Sequence, residues 1–277
     1  MIEIHRATIS NEVSLKGIGV FCGKEIEVRL APANCGNGIR IIRTDIENNN
    51  TFQVNRFATY ETSHLNTTIS NGTNEVKMVE HLISALWCFK ITDINIYIDS
   101  DEIPMLDGSA NYWVKLISSV EIKEFEEAKE CKFIDKEVEL KTEDKYIIAK
   151  PCDHLRITYT IDFPEKTIGK NTFTFDELLN SYIKDIALAR TFCTDRQVEN
   201  HQKIKKAFSD NDIVIYGNEG FRVAGNKLRY TNEATRHKIL DLIGDLTSTG
   251  DFICGEFICY KSGHAMNRDI IKLIYQN

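Results

Sequence analysis

Between residues 25 and 30 the chain reads E-I-E-V-R-L, apolar at every second position, the period of a strand with one buried face. Residues 39–43 and 94–98 (I-N-I-Y-I) show the same strand character, and 94–98 ends in an acidic turn at 99–102. Gly17, Gly19, Gly23, Gly36 and Gly38 punctuate this region as turns. From 78 to 89 the period changes. Val79, Leu82, Ile83 and Leu86 fall at i, i+3, i+4 and i+7, the apolar face of a helix. A second helix begins over 113–117.

Residues 119–132 carry many charges and little apolar content beyond Phe125, which marks a linker or else a solvated charged helix. The pattern then restarts, with strands expected at 136–140, 146–149 and 155–161, a helix over 232–247, a strand at 255–260 and a last helix over 265–274. Strands, helix, strand, helix thus occur twice, which predicts an α+β chain of two sandwich domains, 1–124 and 125–277. Residues 193–230 are the least regular part of the second half and read as an insertion.

A length of 277 residues, at about 150 per domain, agrees with two domains. A composition of 42% hydrophobic and 27% charged residues excludes a disordered chain, a collagen and a coiled-coil rod. The net charge of −7 argues against a nucleic-acid partner and against an anionic membrane surface. No run approaches the ~18 apolar residues of a membrane span. The start lacks a signal-peptide pattern, so a cytoplasmic protein is expected. The eight cysteines are scattered with no C-x-x-C pair and read as small core hydrophobes.

Four local signals could carry chemistry. In Arg236-His237-Lys238-Ile239-Leu240-Asp241-Leu242-Ile243-Gly244-Asp245, His237 and Asp241 share a helix face, opposite the apolar Ile239, Leu242, Ile243 and Leu246. Imidazole and carboxylate one turn apart can converge on a cation, though an ordinary surface pair has the same spacing. Asp245 adds a second carboxylate, which repels the first unless a cation neutralises them. Glu80-His81 opens the first-half helix and could give a third ligand and a general base. The macrodipole alone also favours Glu there. His264, in Tyr260-Lys261-Ser262-Gly263-His264-Ala265, could be a strand-end acid or base, or a solvated loop residue. Thr191, in Ala189-Arg190-Thr191-Phe192, could donate to an oxyanion or be a plain strand residue.

In order along the chain, Val79-Glu80-His81-Leu82-Ile83-Ser84-Ala85-Leu86, Ile103-Pro104-Met105-Leu106-Asp107-Gly108-Ser109-Ala110, Ala189-Arg190-Thr191-Phe192, the 236–245 run and the 260–265 run together resemble the UDP-3-O-acyl-N-acetylglucosamine deacetylase family of lipid A synthesis. Gly17-Ile18-Gly19-Val20, Ala31-Pro32-Ala33-Asn34 and Leu65-Asn66-Thr67-Thr68 extend the likeness over nearly the whole chain.

The resemblance implies two β-α-α-β sandwich domains of similar topology with the active site at their interface. It implies Zn2+ held by His81, His237 and Asp241 with an open position. It makes Glu80 the base that activates water for attack on an acetamide. Thr191 would stabilise the oxyanion. His264 would be a protonated acid with its pKa raised by Asp245, and Lys238 would point into the site. Lys261 would contact the nucleotide phosphates of a UDP-linked acylated amino sugar. One chain suffices for such a site, so a monomer is expected.

Two departures stand out. The family pattern after Arg190-Thr191-Phe192 is Gly-Phe, its second Phe stacking on uracil, whereas this chain has Cys193-Thr194. Phe163 or Phe192 would then have to supply the aromatic contact. A Gly-Gly-Ser turn near 206–210 is replaced by Lys206-Ala207-Phe208-Ser209-Asp210, in the insertion that builds the acyl passage. The other reading is therefore a divergent paralogue, a zinc deacylase acting on another N-acylated sugar without tight uridine recognition.

Overall fold

The computed structural model describes residues 3–62, 66–200 and 213–276, so Leu65 and the 206–210 stretch lie outside the described residues. Each half contains one main sheet. In chain order the first uses Val13–Ile18, Glu25–Pro32, Ile39–Arg43, Thr51–Val54 and Ile94–Ile98. The second uses Val138–Lys141, Tyr146–Lys150, Leu155–Asp162, Lys170–Asp176 and Ile253–Tyr260, with Lys132–Phe133 paired at its side. Across both sheets the strands stand in the order first, second, fifth, third, fourth. The fifth strand is antiparallel to the second and parallel to the third in each. Alternation explains the sheets: in Ile94–Ile98 the three isoleucines are buried while Asn95 and Tyr97 are half-buried.

Among the described residues the α-helices are α1 (Glu80–Cys88), α2 (Asn111–Ser118), α3 (Tyr182–Asp185), α4 (Asp195–Asn200), α5 (Glu233–Thr247) and α6 (His264–Gln276). In each half a helix precedes the fifth strand and another follows it, so the expected α+β repeat is present as a repeat of topology. Each half also carries an insertion between its fourth strand and the next helix. The first holds a small sheet of Thr59–Thr62, Thr67–Ser70 and Glu75–Val76. The second holds α3, α4 and a sheet of Phe192–Thr194, Val214–Tyr216 and Phe221–Arg222, and it begins upstream of residue 193.

Helix α5 departs from the one-sided pattern expected of it. All its residues but Arg236 and Lys238 are buried, because α1 covers the His237/Asp241 side while α6 and the second sheet cover others. The close α1–α5 approach needs Gly244. A Cβ there would stand 2.3 Å from the Glu80 carbonyl oxygen. Apolar side chains from both halves, among them Leu86, Ile96, Leu242 and Phe257, form one continuous core.

Three expectations need correction. Residues 119–132 are neither irregular linker nor helix, since Ile122–Glu130 is a strand antiparallel to Glu3–Ile9. That strand runs across the 124/125 boundary between the two expected units. Gly17 lies within Val13–Ile18, not in a turn; a Cβ there would meet Leu106 Cδ2 at 2.6 Å. All eight cysteines are free thiols, but only Cys193, Cys254 and Cys259 are buried. Among the described residues no helix is long and apolar enough to cross a membrane.

Candidate active site

Helices α1 and α5 bring His81, His237 and Asp241 together, all buried, with a ligand atom of each within 4.8 Å of the others. Asp241 Oδ1 lies 3.2 Å from His237 Nε2 and 3.8 Å from His81 Nε2. The two imidazoles meet edge to face at 5.0 Å. His237 Nδ1–H donates to the Ala189 carbonyl at 3.0 Å, which turns the Nε2 lone pair toward Asp241. Burial lowers the His237 pKa to about 3, so the imidazole is neutral, as a metal ligand must be. Burial works against ionisation of Asp241, but His237 and Lys238 outweigh it and hold the carboxyl well below its ordinary range. Two imidazoles and a carboxylate form a donor set suited to a divalent metal with an open coordination position.

Glu80 is 1% exposed and belongs to the same cluster. Its Oε2 accepts from the Thr67 N–H at 3.0 Å, and its Oε1 lies 4.0 Å from His264 Nε2. Burial pushes the Glu80 carboxyl up, offset in part by His264 and His81. His264 opens α6, and its Nδ1–H donates to Asp245 Oδ2 at 2.8 Å. Burial lowers the His264 pKa, but the Asp245 carboxylate overrides it and takes the value up to about 9. The imidazole is therefore a cation near neutral pH, with Nε2 facing Glu80 and Asp241.

Lys238 reaches Asp241 Oδ2 at 2.5 Å. Thr191 is half-buried and stands in sequence between Ala189, which accepts from His237, and Phe192, whose ring lies 6.4 Å from the imidazole. Its own N–H donates to the Gly108 carbonyl at 2.6 Å. Phe163 packs edge to face on Phe192 at 5.5 Å, extending an aromatic strip away from the cluster. Lys261, at the end of Ile253–Tyr260, makes its ion pair with Asp144 at 3.0 Å and not with the cluster.

Sequence reasoning gave no role to several residues that build the site. Thr67 and Asn267 both donate to Asp245. The Glu233 carboxylate, 0% exposed, accepts from Arg190 N–H, Nε and Nη2 and from Arg229 N–H. That buried pair pins Ala189 and Thr191 against α5. Of these, only Arg190 and Thr67 stand in quoted motifs, and neither has a spacing that announces its partner.

Two other places carry less chemistry. Cys152, Asp153 and His154 also lie close together, but Asp153 is 81% exposed and His154 is engaged by Asp153 and Asp176. A cavity of about 480 Å³ lined by Arg6, Arg40, Arg56, Lys129 and Asp251 shares no residue with the cluster.

The family model for LpxC, UDP-3-O-acyl N-acetylglycosamine deacetylase, matches residues 6–276. A UDP-3-O-acyl-N-acetylglucosamine deacetylase of Psychrobacter sp. (strain PRwf-1) is 35% identical, over 98% of this chain and 92% of the relative. Proteins of the same name from Histophilus somni (strain 129Pt) and Acidithiobacillus ferrooxidans (strain ATCC 53993 / BNL-5-31) are 32% and 35% identical, over 99% and 98% of this chain and 91% and 90% of those relatives. With a match over nearly its whole length, the chain belongs to the LpxC family of UDP-3-O-acyl N-acetylglycosamine deacetylases.

Proposed function

We propose that this protein hydrolyses the acetamide of UDP-3-O-acyl-N-acetylglucosamine, releasing acetate, as a zinc-dependent step of lipid A synthesis. One observation carries the reading: Glu80 and His81 from the first half meet His237, Asp241, Asp245 and His264 from the second in one buried cluster. The relatives named as deacetylases support the substrate class. The whole set comes from one chain, so a monomer suffices, with units 1–124 and 125–277 each contributing part.

His81, His237 and Asp241 would hold the zinc, which supplies Lewis acidity to the acetamide carbonyl and to an adjacent water. Glu80, its carboxyl raised by burial, takes the proton of the attacking water. The Thr191 hydroxyl donates to the developing oxyanion, and Lys238 adds positive charge beside Asp241. His264, kept protonated by Asp245, gives a proton from Nε2 to the leaving amine. Water and amide thus become acetate and the free amino sugar. Lys261 would leave Asp144 to meet the nucleotide phosphates, and Phe163 and Phe192 would offer the aromatic surface.

The test is acetate release from this substrate by purified, zinc-replete protein; no release removes the reading. Cys193-Thr194, where the family pattern has Gly-Phe, favours a second reading, deacylation of another N-acylated sugar without tight uridine recognition. Turnover that is unchanged when the UDP group is removed would select it.

A further inference from the structure

We infer that Thr67 is a positioning residue that holds the base and the acid in register across the two halves, an inference that rests on the deacetylase reading above. Thr67 starts the strand Thr67–Ser70 of the first insertion and is 2% exposed. Its main chain is tied to the start of α1 twice. Its N–H donates to Glu80 Oε2 at 3.0 Å, and its carbonyl accepts from the Val79 N–H at 3.3 Å. Its side chain reaches into the other half. The hydroxyl donates to Asp245 Oδ1 at 2.6 Å and lies 3.3 Å from His264 Nδ1.

The hydrogen-bond inventory then closes. An ionised carboxylate only accepts, so the Thr67 hydroxyl proton is committed to Asp245. Asp245 Oδ2 takes His264 Nδ1–H and Asn267 Nδ2–H, both at 2.8 Å, while Oδ1 takes Thr67. Both edges of Asp245 are thereby fixed, and Asp245 fixes the His264 ring with Nε2 toward Glu80. Glu80 and Asp245 come from different helices in different halves, and one threonine contacts both carboxylates. The 4.0 Å separation of Glu80 Oε1 from His264 Nε2 is set through this residue.

Thr67→Val removes the hydroxyl, keeps the branched shape and leaves the main-chain bonds to Glu80 and Val79. Groups that orient a reacting side chain in this way contribute about 10- to 100-fold to activity. The experiment compares acetate release, bound zinc, melting temperature and the NMR signals of the ¹⁵N-labelled His264 imidazole, assigned with His264→Gln. Thr67→Val is expected to lower kcat by about 10- to 100-fold with KM and bound zinc unchanged, and to move the His264 signals. Thr67→Ser, which restores the hydroxyl, is expected to recover both. Wild-type kcat in Thr67→Val, unmoved His264 signals, or a Thr67→Ser variant as impaired as Thr67→Val would overturn the inference. A wild-type protein that releases no acetate would sink the deacetylase reading instead, and the His264 signals would still decide the role of Thr67.

Discussion

In the first half the proposed reactive side chains occupy the opening turn of a nine-residue helix, whereas in the second His237, Asp241 and Asp245 run along a fifteen-residue one and His264 opens another. Glu80 and His81 are neighbours in sequence, so the helix turns them about 100° apart. Glu80 faces Thr67 and His264, and His81 faces His237 and Asp241. In α5 the spacing of four keeps His237, Asp241 and Asp245 in one row, and successive turns do different work. Asp241 meets the imidazoles at the proposed metal position, and Asp245 meets His264. Two sheets of identical strand order therefore carry unlike chemistry. The backbone is repeated, and the site is not.

The largest effects should come from removing a metal ligand from either half. His81→Ala and His237→Ala are each expected to abolish measurable acetate release and to drop bound zinc, by elemental analysis, from one per chain to almost none. A His81→Ala protein that keeps its zinc would show that the second half binds metal alone. Next, Glu80→Gln and His264→Gln should retain zinc while losing about 100- to 10,000-fold in kcat. Retained zinc with lost turnover separates proton transfer from metal binding; equal loss of both would merge them. The smallest effects concern the contact between the halves. Gly244→Ala forces a methyl against the Glu80 carbonyl and should cost about 1–3 kcal/mol in denaturant unfolding. Gly220→Ala, with nothing within 4 Å of the added carbon, should stay within about 0.5 kcal/mol. Equal melting of the two variants would mean that α1 and α5 have room to spare.

The periodic parts of the chain were readable. Ile94–Ile98 appears as expected, and α1, α5 and α6 lie within a residue or two of their apolar repeats. Strand Ile122–Glu130 was hidden because it shows water a charged surface, its residues being exposed or half-buried with no apolar alternation. Lys170–Asp176 and Thr51–Val54 alternate, as T-F-T-F and T-F-Q-V, but over only four residues each, too short a run to stand out. At the site, His237 and Asp241 could be paired by spacing, and the ordered motifs joined them to Glu80 and His81. Thr67 and Asn267 act through contacts made only after folding. Thr67 lies 178 residues from the carboxylate that it binds, a separation no local period encodes.

The ribbon between the halves bears on how substrate enters. Ile122–Glu130 is sewn along Glu3–Ile9, with Arg6 bound to Asp93 of the first half and Lys129 to Asp251 of the second. A single extended segment would act as a hinge, and the cleft could gape and shut around each ligand. A paired ribbon anchored at both ends, together with the shared core, resists that swing. The Glu80–His264 spacing is then expected to change little when a ligand binds. On the proposed reading, a lipid-tailed sugar would enter a site whose two walls stay fixed, and most of the rearrangement on binding would be left to side chains such as Lys261.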